Sequence, residues 1–76
     1  MKTTYLIYEK QHVNSYCDPS YTQEFESLDE AKRFAVKTQL FQGTALVIEY
    51  ENGFELCYKE SGKWEYFNNE DNPQRR

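Results

Sequence analysis

The sequence predicts an α+β fold in which one helix packs on one face of an antiparallel sheet of four to five strands, with the elements in the order β-β-α-β-β-β. Three observations predict it: short stretches rich in β-branched and aromatic residues, one central segment with helical spacing of apolar residues, and two glycine turns. A chain of 76 residues is long enough for one domain. We place this domain at residues 1–67 and expect the polar residues 68–76 to form a disordered tail.

Two strands precede the helix. Residues 3–9, TTYLIYE, and residues 21–26, YTQEFE, have strand composition. Residues 11–20 between them are polar and contain Asp18-Pro19, which is typical of a loop. A β-hairpin with a long connection is the simplest pairing of these strands.

Ser27 marks the start of the helix. Glu30 follows three residues later, which is the spacing of a capping box, and Asp29 adds negative charge at the positive end of the helix dipole. We predict a helix from residue 28 to about residue 40, with Gly43 as its stop signal. Its buried face is predicted to carry Leu28, Ala31, Phe34 and Ala35. Its opposite face is predicted to carry Lys32, Arg33 and Lys37.

The connection between the third strand, residues 44–50, and the fourth, residues 54–59, decides which side chains share a face. A two-residue Asn52-Gly53 loop would mix polar and apolar residues on both faces. A three-residue loop, with Gly53 left-handed in a bulge, places the apolar residues of both strands on one side. We predict the second loop, with the pairs Tyr50–Phe54, Ile48–Leu56 and Leu46–Tyr58.

The fifth strand follows a similar turn. A three-residue loop over residues 60–62 pairs Tyr58 with Trp64 and Leu56 with Tyr66. The predicted helix-facing side of the sheet is Leu46, Ile48, Tyr50, Phe54, Leu56, Tyr58, Trp64 and Tyr66. The predicted outer side is Ala45, Val47, Glu49, Glu55, Cys57, Lys59, Lys63 and Glu65.

Composition argues against several classes of protein. Seven Tyr, five Phe and one Trp argue against a disordered chain, and a net charge of −4 argues against a dedicated nucleic-acid binder. The first apolar run covers only residues 5–8, and no stretch approaches the ~20 apolar residues of a membrane span. We therefore expect a cytoplasmic protein with no secretory or membrane segment. The thiols of Cys17 and Cys57 should then be reduced.

The sequence contains no pattern typical of catalysis, of a metal site or of a cofactor site. His12 is the single histidine, and the two cysteines are far apart without a C-x-x-C motif. The acidic pairs Asp29-Glu30 and Glu70-Asp71 are explained by a helix cap and a solvated tail. We predict that the protein is not an enzyme and that it binds no metal or cofactor.

A basic patch lies on the predicted exposed face of the helix, formed by Lys32, Arg33 and Lys37. Charge on such a face most often only solvates the helix. Alternatively, about three or four phosphate contacts would give weak, strongly salt-dependent binding. The residues alone leave both interpretations open.

Short motifs run through most of the chain. The pattern S-L-x-x-A-K-R spans residues 27–33, Q-x-F-x-G-T spans residues 39–44, and N-G-x-x-L-x-Y-K-E-x-G-K spans residues 52–63. Further matching positions are Met1, Lys2, Tyr5, Ile7, Glu9, Gln11, Asn14 and Ser15. In these motifs the sequence resembles the ninth family of type I-F anti-CRISPR proteins. These are small phage-encoded inhibitors of the RNA-guided Csy surveillance complex.

The resemblance implies a mechanism and its residues. Members of the family bind the Cas7-type backbone subunits of the complex and obstruct hybridisation of target DNA to the guide. They have also been associated with tethering of non-specific duplex DNA. By position, Tyr5, Gln39 and Phe41 would contact the backbone subunits. Lys32, Arg33, Lys37 and Lys59 would be the basic positions for duplex DNA. We expect the protein itself to be a monomer.

Alternatives stay open for the residues and for the function. Phe41 could instead pack in the core under the helix end, and Tyr5 could be an ordinary sheet residue. Four acidic residues weaken the positive potential and make DNA tethering less supported than complex binding: Asp29, Glu30, Glu55 and Glu65. The alternative functions are inhibition of another host complex, such as another type I CRISPR system or RNA polymerase, and weak direct binding of duplex DNA.

Overall fold

A computed structural model describes residues 1–67. Its elements are β1 (Thr3–Lys10), β2 (Tyr21–Phe25), α1 (Leu28–Thr38), β3 (Ala45–Tyr50), β4 (Glu55–Lys59) and β5 (Trp64–Tyr66). The five strands form one antiparallel sheet in the order β2-β1-β3-β4-β5. The predicted α+β fold and chain order are confirmed. Residues 68–76, for which we predicted a disordered tail, lie outside the described residues.

β1 occupies an inner position of the sheet, between β2 and β3. The predicted hairpin of the first two strands is confirmed, with Thr3 opposite Phe25 and Ile7 opposite Tyr21. Successive side chains of a strand point to opposite faces, so the alternate residues Tyr5, Ile7 and Glu9 share the helix side. Because β1 is paired on both sides, its helix-side residues are held firmly.

The core lies between α1 and the sheet. Ala31 and Ala35 are completely buried, and their small side chains let the helix approach the strands closely. The ring of Phe34 packs between the rings of Tyr21 and Phe25, with centres 4.9 and 5.2 Å away. Each such aromatic pair contributes about 0.5–1.5 kcal/mol beyond the buried area. The predicted apolar face of the helix is confirmed.

The helix begins where predicted. The backbone N–H of Glu30 donates to the Ser27 hydroxyl oxygen at 3.2 Å, so Ser27 is the N-cap. The Glu30 carboxylate accepts from the backbone N–H of Glu26 at 2.9 Å, one residue earlier than in a regular capping box. The start of α1 is thus held by two side-chain bonds, one to an N–H of its first turn, which the helix leaves without a partner, and one to the N–H of the residue before the cap.

The helix ends earlier than predicted, at Thr38. The backbone N–H of Gln39 donates to the carbonyl of Val36, and Gln39 then turns into extended backbone with a ψ of 127°. Gly43, predicted as the stop signal, lies in the turn before β3, where its φ is 85°. Residues 39–44 are therefore a loop and not the last turn of the helix.

The β3–β4 turn is as predicted, but the register beyond it is not. The N–H of Tyr50 donates to the carbonyl of Phe54 at 2.9 Å, and Gly53 is left-handed with a φ of 91°. A bulge then shifts the register, so that Ile48 lies opposite Cys57 and Glu49 opposite Glu55. Leu56 is the extra residue on β4.

This bulge makes the predicted pairs Ile48–Leu56 and Leu46–Tyr58 wrong. The observed partner of Leu46 is Lys59, and that of Val47 is Tyr58. In β5, Trp64 lies opposite Lys59 and Tyr66 opposite Cys57, instead of the predicted partners Tyr58 and Leu56. The predicted three-residue loop over residues 60–62 is therefore wrong, because the connection between the paired residues Lys59 and Trp64 spans residues 60–63.

Two residues therefore move to the helix side and one leaves it. Cys57, predicted on the outer side, belongs to the core together with Leu56. Lys59, also predicted outside, shares the helix-side face with Trp64. Tyr58 moves to the outer side, where its ring lies 5.0 Å from the ring of Phe67. An alternating pattern cannot reveal a bulge when the residues around it, here Leu56 and Cys57, are both apolar.

Candidate partner-contact edge and basic groove

Residues 39–41, which we call the contact edge, follow the end of α1. Leu40 and Phe41 present large apolar side chains that are 77% and 67% exposed. The alternative that Phe41 packs in the core is therefore excluded. Leu40 was not among the residues predicted from the sequence; an apolar residue directly after the helix end was its only signal.

The carboxylate of Glu9 holds the backbone of this edge. One of its oxygens accepts from the N–H of Leu40 at 2.9 Å, and the other accepts from the N–H of Phe41 at 2.9 Å. The Thr44 hydroxyl lies 2.8 Å from the Glu9 carboxylate and 2.8 Å from the Phe41 carbonyl. Since a hydroxyl has one hydrogen, it donates to one of these at a time. Both ends of the loop are thus tied to β1.

The side chain of Gln39 is engaged inside the loop. Its amide nitrogen donates to the Thr44 carbonyl at 3.2 Å and to the Thr44 hydroxyl oxygen at 2.9 Å. These bonds use both hydrogens of the amide group. Gln39 and Phe41, which were predicted to contact a partner, thus lie in the same loop. The amide of Gln39 is bonded within that loop.

Glu9 is charged at a position where the alternation of β1 calls for an apolar residue. Burial raises the pKa of its carboxyl, but the hydrogen bonds from Leu40, Phe41 and Thr44 outweigh burial and lower the pKa below its ordinary value. The role of Glu9 was not predicted from the sequence. Its only signal was an acidic residue at a helix-side position of a strand, and this does not indicate which loop Glu9 binds.

Tyr5 lies away from the contact edge. It is 6% exposed, belongs to the core cluster and stacks on the ring of Tyr50 with centres 5.9 Å apart. Tyr5 precedes Glu9 by four positions, which corresponds to ~13 Å along β1. The structure does not bring Tyr5 together with Gln39 and Phe41, and its role in partner contact stays a prediction.

A second feature, which we call the basic groove, runs between α1 and β5. It has a volume of about 490 Å³ and is lined by Asp29, Lys32, Arg33, Val36, Lys37 and Trp64. The ammonium nitrogen of Lys32 lies 4.4 Å from the centre of the Tyr66 ring and 5.7 Å from that of Trp64, and it donates to the Tyr66 hydroxyl. Aromatic faces attract cations, so these two rings hold Lys32 in a half-buried position. The prediction that Lys32 lies on the exposed face of the helix is therefore corrected, whereas Arg33 and Lys37 are exposed as predicted.

Lys59 lies beside this groove on the helix side of the sheet, because the bulge in β4 changes its face. It lies opposite Trp64 on the helix side of the sheet, so all four predicted basic positions fall on one side of the molecule. Of the acidic residues expected to weaken the patch, Asp29 lines the groove. Glu55 and Glu65 pair with Glu49 and Tyr58 on the outer side instead.

Within residues 1–67 no group of three or more His, Cys, Asp or Glu could hold a metal ion. No helix in that range is long and apolar enough to cross a membrane. Cys17 and Cys57 are free thiols, and burial raises the pKa of Cys57 to about 12, although the charge of Lys32 opposes the shift.

A small α+β domain with a fixed apolar edge and a separate basic groove has the features of a binding protein. Among solved structures the chain is similar to AcrIF9, with a TM-score of 0.84, 45% identity and an alignment that covers 92% of each chain. No protein-family model and no curated protein sequence matches it. At this identity and coverage the chain belongs to the AcrIF9 family, the ninth family of type I-F anti-CRISPR proteins. The resemblance found in the sequence motifs is confirmed.

Proposed function

We propose that the protein binds the Cas7-type backbone subunits of a type I-F guide-RNA surveillance complex and blocks hybridisation of target DNA to the guide. It would act as a monomer in the cytoplasm of the bacterial host. The observation that carries the proposal is the contact edge, because it presents Leu40 and Phe41 to solvent on a loop whose backbone is held by Glu9.

The contact edge has two properties that favour binding to a partner. Large apolar side chains that enter a partner's pocket contribute most of the energy of a protein interface. A loop that is ordered before binding loses less conformational entropy when the complex forms. The contact edge combines both properties, which suits a protein that inhibits by occupying a surface.

The test uses purified protein and a purified type I-F surveillance complex. We expect the two to co-elute from a sizing column, and the bound complex to lose its ability to retain a target DNA duplex in a native gel. Absence of co-elution would contradict the proposal. Parallel runs with other type I complexes, and capture from host lysate, test the alternative that another host complex or RNA polymerase is the partner.

A second function, tethering of non-specific duplex DNA to the inhibited complex, is supported by the basic groove. Lys32, Arg33, Lys37 and Lys59 fall on one side of the molecule, which is the arrangement that phosphate contacts need. We expect DNA of unrelated sequence to bind the inhibited complex but not the complex alone. Binding of that DNA by the free protein would instead favour the alternative of a direct DNA binder.

A further inference from the structure

We propose that Glu9 is the positioning residue of the contact edge: its carboxylate fixes the backbone of Leu40 and Phe41 and thereby presents their side chains to the partner. The functional consequence rests on the proposed function. The hydrogen-bond clamp itself is a property of the free protein and can be measured without any partner.

The two amides that Glu9 holds lie between a helix and a strand. The N–H groups of Leu40 and Phe41 follow the end of α1 and precede β3, so neither element supplies their acceptors. The two oxygens of one carboxylate accept from both at 2.9 Å. Bonds to a charged acceptor are about twice as strong as bonds between neutral groups. Glu9 thus gives two consecutive peptide groups one defined orientation.

β1 gives the carboxylate of Glu9 a rigid support. Glu9 is a residue of β1 and pairs with Leu46 of β3, which is 2% exposed. A group that stands on an inner strand is held more firmly than one on a loop. The contact edge therefore takes its geometry from the sheet, although its own residues are outside every helix and strand.

The side chains of the contact edge do not fix their own position by packing. With most of their surface exposed, Leu40 and Phe41 have little packing that would define the loop. If loss of the clamp left the binding geometry populated about one tenth of the time, the apparent affinity would fall by about tenfold. The position of the apolar pair thus depends on polar bonds beneath it.

The decisive variant is Glu9→Gln. The amide keeps the size of the side chain, but its NH₂ group would face one of the two backbone N–H donors and could not accept from it. Glu9→Asp keeps the charge but is shorter by one methylene group, so it tests reach without changing charge. Glu24→Gln is the matched control, because Glu24 is an exposed residue of β2 and the substitution changes the charge equally.

Two measurements are made on each protein. Amide hydrogen exchange of the free protein, followed by NMR, should be at least about tenfold faster at Leu40 and Phe41 in Glu9→Asp, at least about tenfold faster at one or both of them in Glu9→Gln, and unchanged in Glu24→Gln. Affinity for the purified type I-F complex should fall about tenfold in the two Glu9 variants only. In the wild-type protein the Leu40 and Phe41 amide shifts should titrate together with the Glu9 carboxyl, at a pH below its ordinary value of 4.5.

Each outcome has a defined meaning. Unchanged exchange at the two amides in Glu9→Gln would overturn the clamp. Faster exchange with unchanged affinity would overturn the positioning role. If the wild-type protein does not bind the complex, that failure belongs to the proposed function, and the exchange and titration data still decide whether Glu9 fixes the edge. Should Glu9→Gln unfold, Glu9→Asp and the wild-type titration carry the same decision.

Discussion

The contact edge follows the end of α1 and the basic groove runs beside α1, but the two regions are built in opposite ways. In the contact edge the carboxylate of Glu9, a residue of β1, holds the backbone, and apolar side chains point to solvent. In the basic groove two aromatic rings hold Lys32, while further cations remain exposed. Polar bonds support an apolar surface in one region, and apolar rings support a charged surface in the other.

The difference indicates what each region can recognise. Burial of apolar side chains depends little on salt, and it rewards a partner with a matching pocket. Contacts of exposed cations with phosphates are long-ranged, insensitive to sequence and weakened by salt. The comparison therefore predicts a specific protein contact at the edge and a non-specific, salt-dependent contact at the groove.

The largest effect should come from the double variant Leu40→Ala, Phe41→Ala. We expect its affinity for the type I-F complex to fall about 30-fold or more, because a hot spot contributes at least about 2 kcal/mol. Calorimetry with the purified complex measures this change. The melting temperature should stay close to that of the wild-type protein, because both side chains are exposed.

The control for the double variant is Tyr16→Ala, which removes an aromatic side chain that is 94% exposed in another loop. Its affinity should match that of the wild-type protein. A loss of affinity equal to that of the double variant would mean that the apolar edge has no special role, and the comparison of the two regions would fail.

Salt should separate the two regions next. If about three to four phosphates are contacted, raising salt from about 50 to about 200 mM should weaken attachment of unrelated duplex DNA to the inhibited complex about 40- to 150-fold. Binding of the protein to the complex should change far less over the same range. Equal salt dependence of both interactions, measured by titration of fluorescent DNA and of labelled protein, would contradict the comparison.

Lys59→Gln tests the place that the register shift gives to Lys59. The substitution should reduce the slope of log affinity against log salt for duplex DNA by about one, which corresponds to one phosphate contact. Lys63→Gln is the matched control, because Lys63 lies in the β4–β5 turn, 3.6 Å from the carboxylate of Glu65. Equal effects of the two substitutions would show that the face of Lys59 does not matter.

The smallest effect should be the pH dependence of stability at the contact edge. Because hydrogen bonds lower the pKa of Glu9 below 4.5 in the folded protein, its stabilising contribution is present above pH 4.5 and is lost as pH falls through the folded-state pKa. Urea unfolding should show Glu9→Gln to be less stable than the wild-type protein near pH 7. This difference should shrink below pH 4.5, and a difference that grew there would contradict the assignment of the clamp to the ionised carboxylate.

Local signals in the chain predicted most of the fold. The Ser27 cap, the left-handed Gly53 and the strand composition of β1 and β3 each depend on neighbouring residues, and each is found in the structure. The motifs around the helix and the hairpins also led to the correct family, as AcrIF9 confirms. The amphipathic face of α1 follows from spacing alone, since the same residues face the sheet in any register.

The candidate site depends on strand pairing and on contacts between residues distant in sequence, which a local pattern does not show. The bulge at Leu56 is a feature of the pairing between β3 and β4, which the apolar pattern of β4 does not show, and it puts Lys59 on the helix side of the sheet beside the groove. Glu9 meets Leu40 and Phe41 across more than thirty residues of chain, so no short window of sequence contains both partners.

By itself, therefore, the sequence determined the elements, their order, the start of the helix and the family. The tertiary structure alone decided that Tyr5 is buried, that Phe41 is exposed and that Lys59 faces the helix. The physical reason is that propensities and caps act within a few residues, whereas the face and exposure of a side chain depend on register and on contacts distant in sequence.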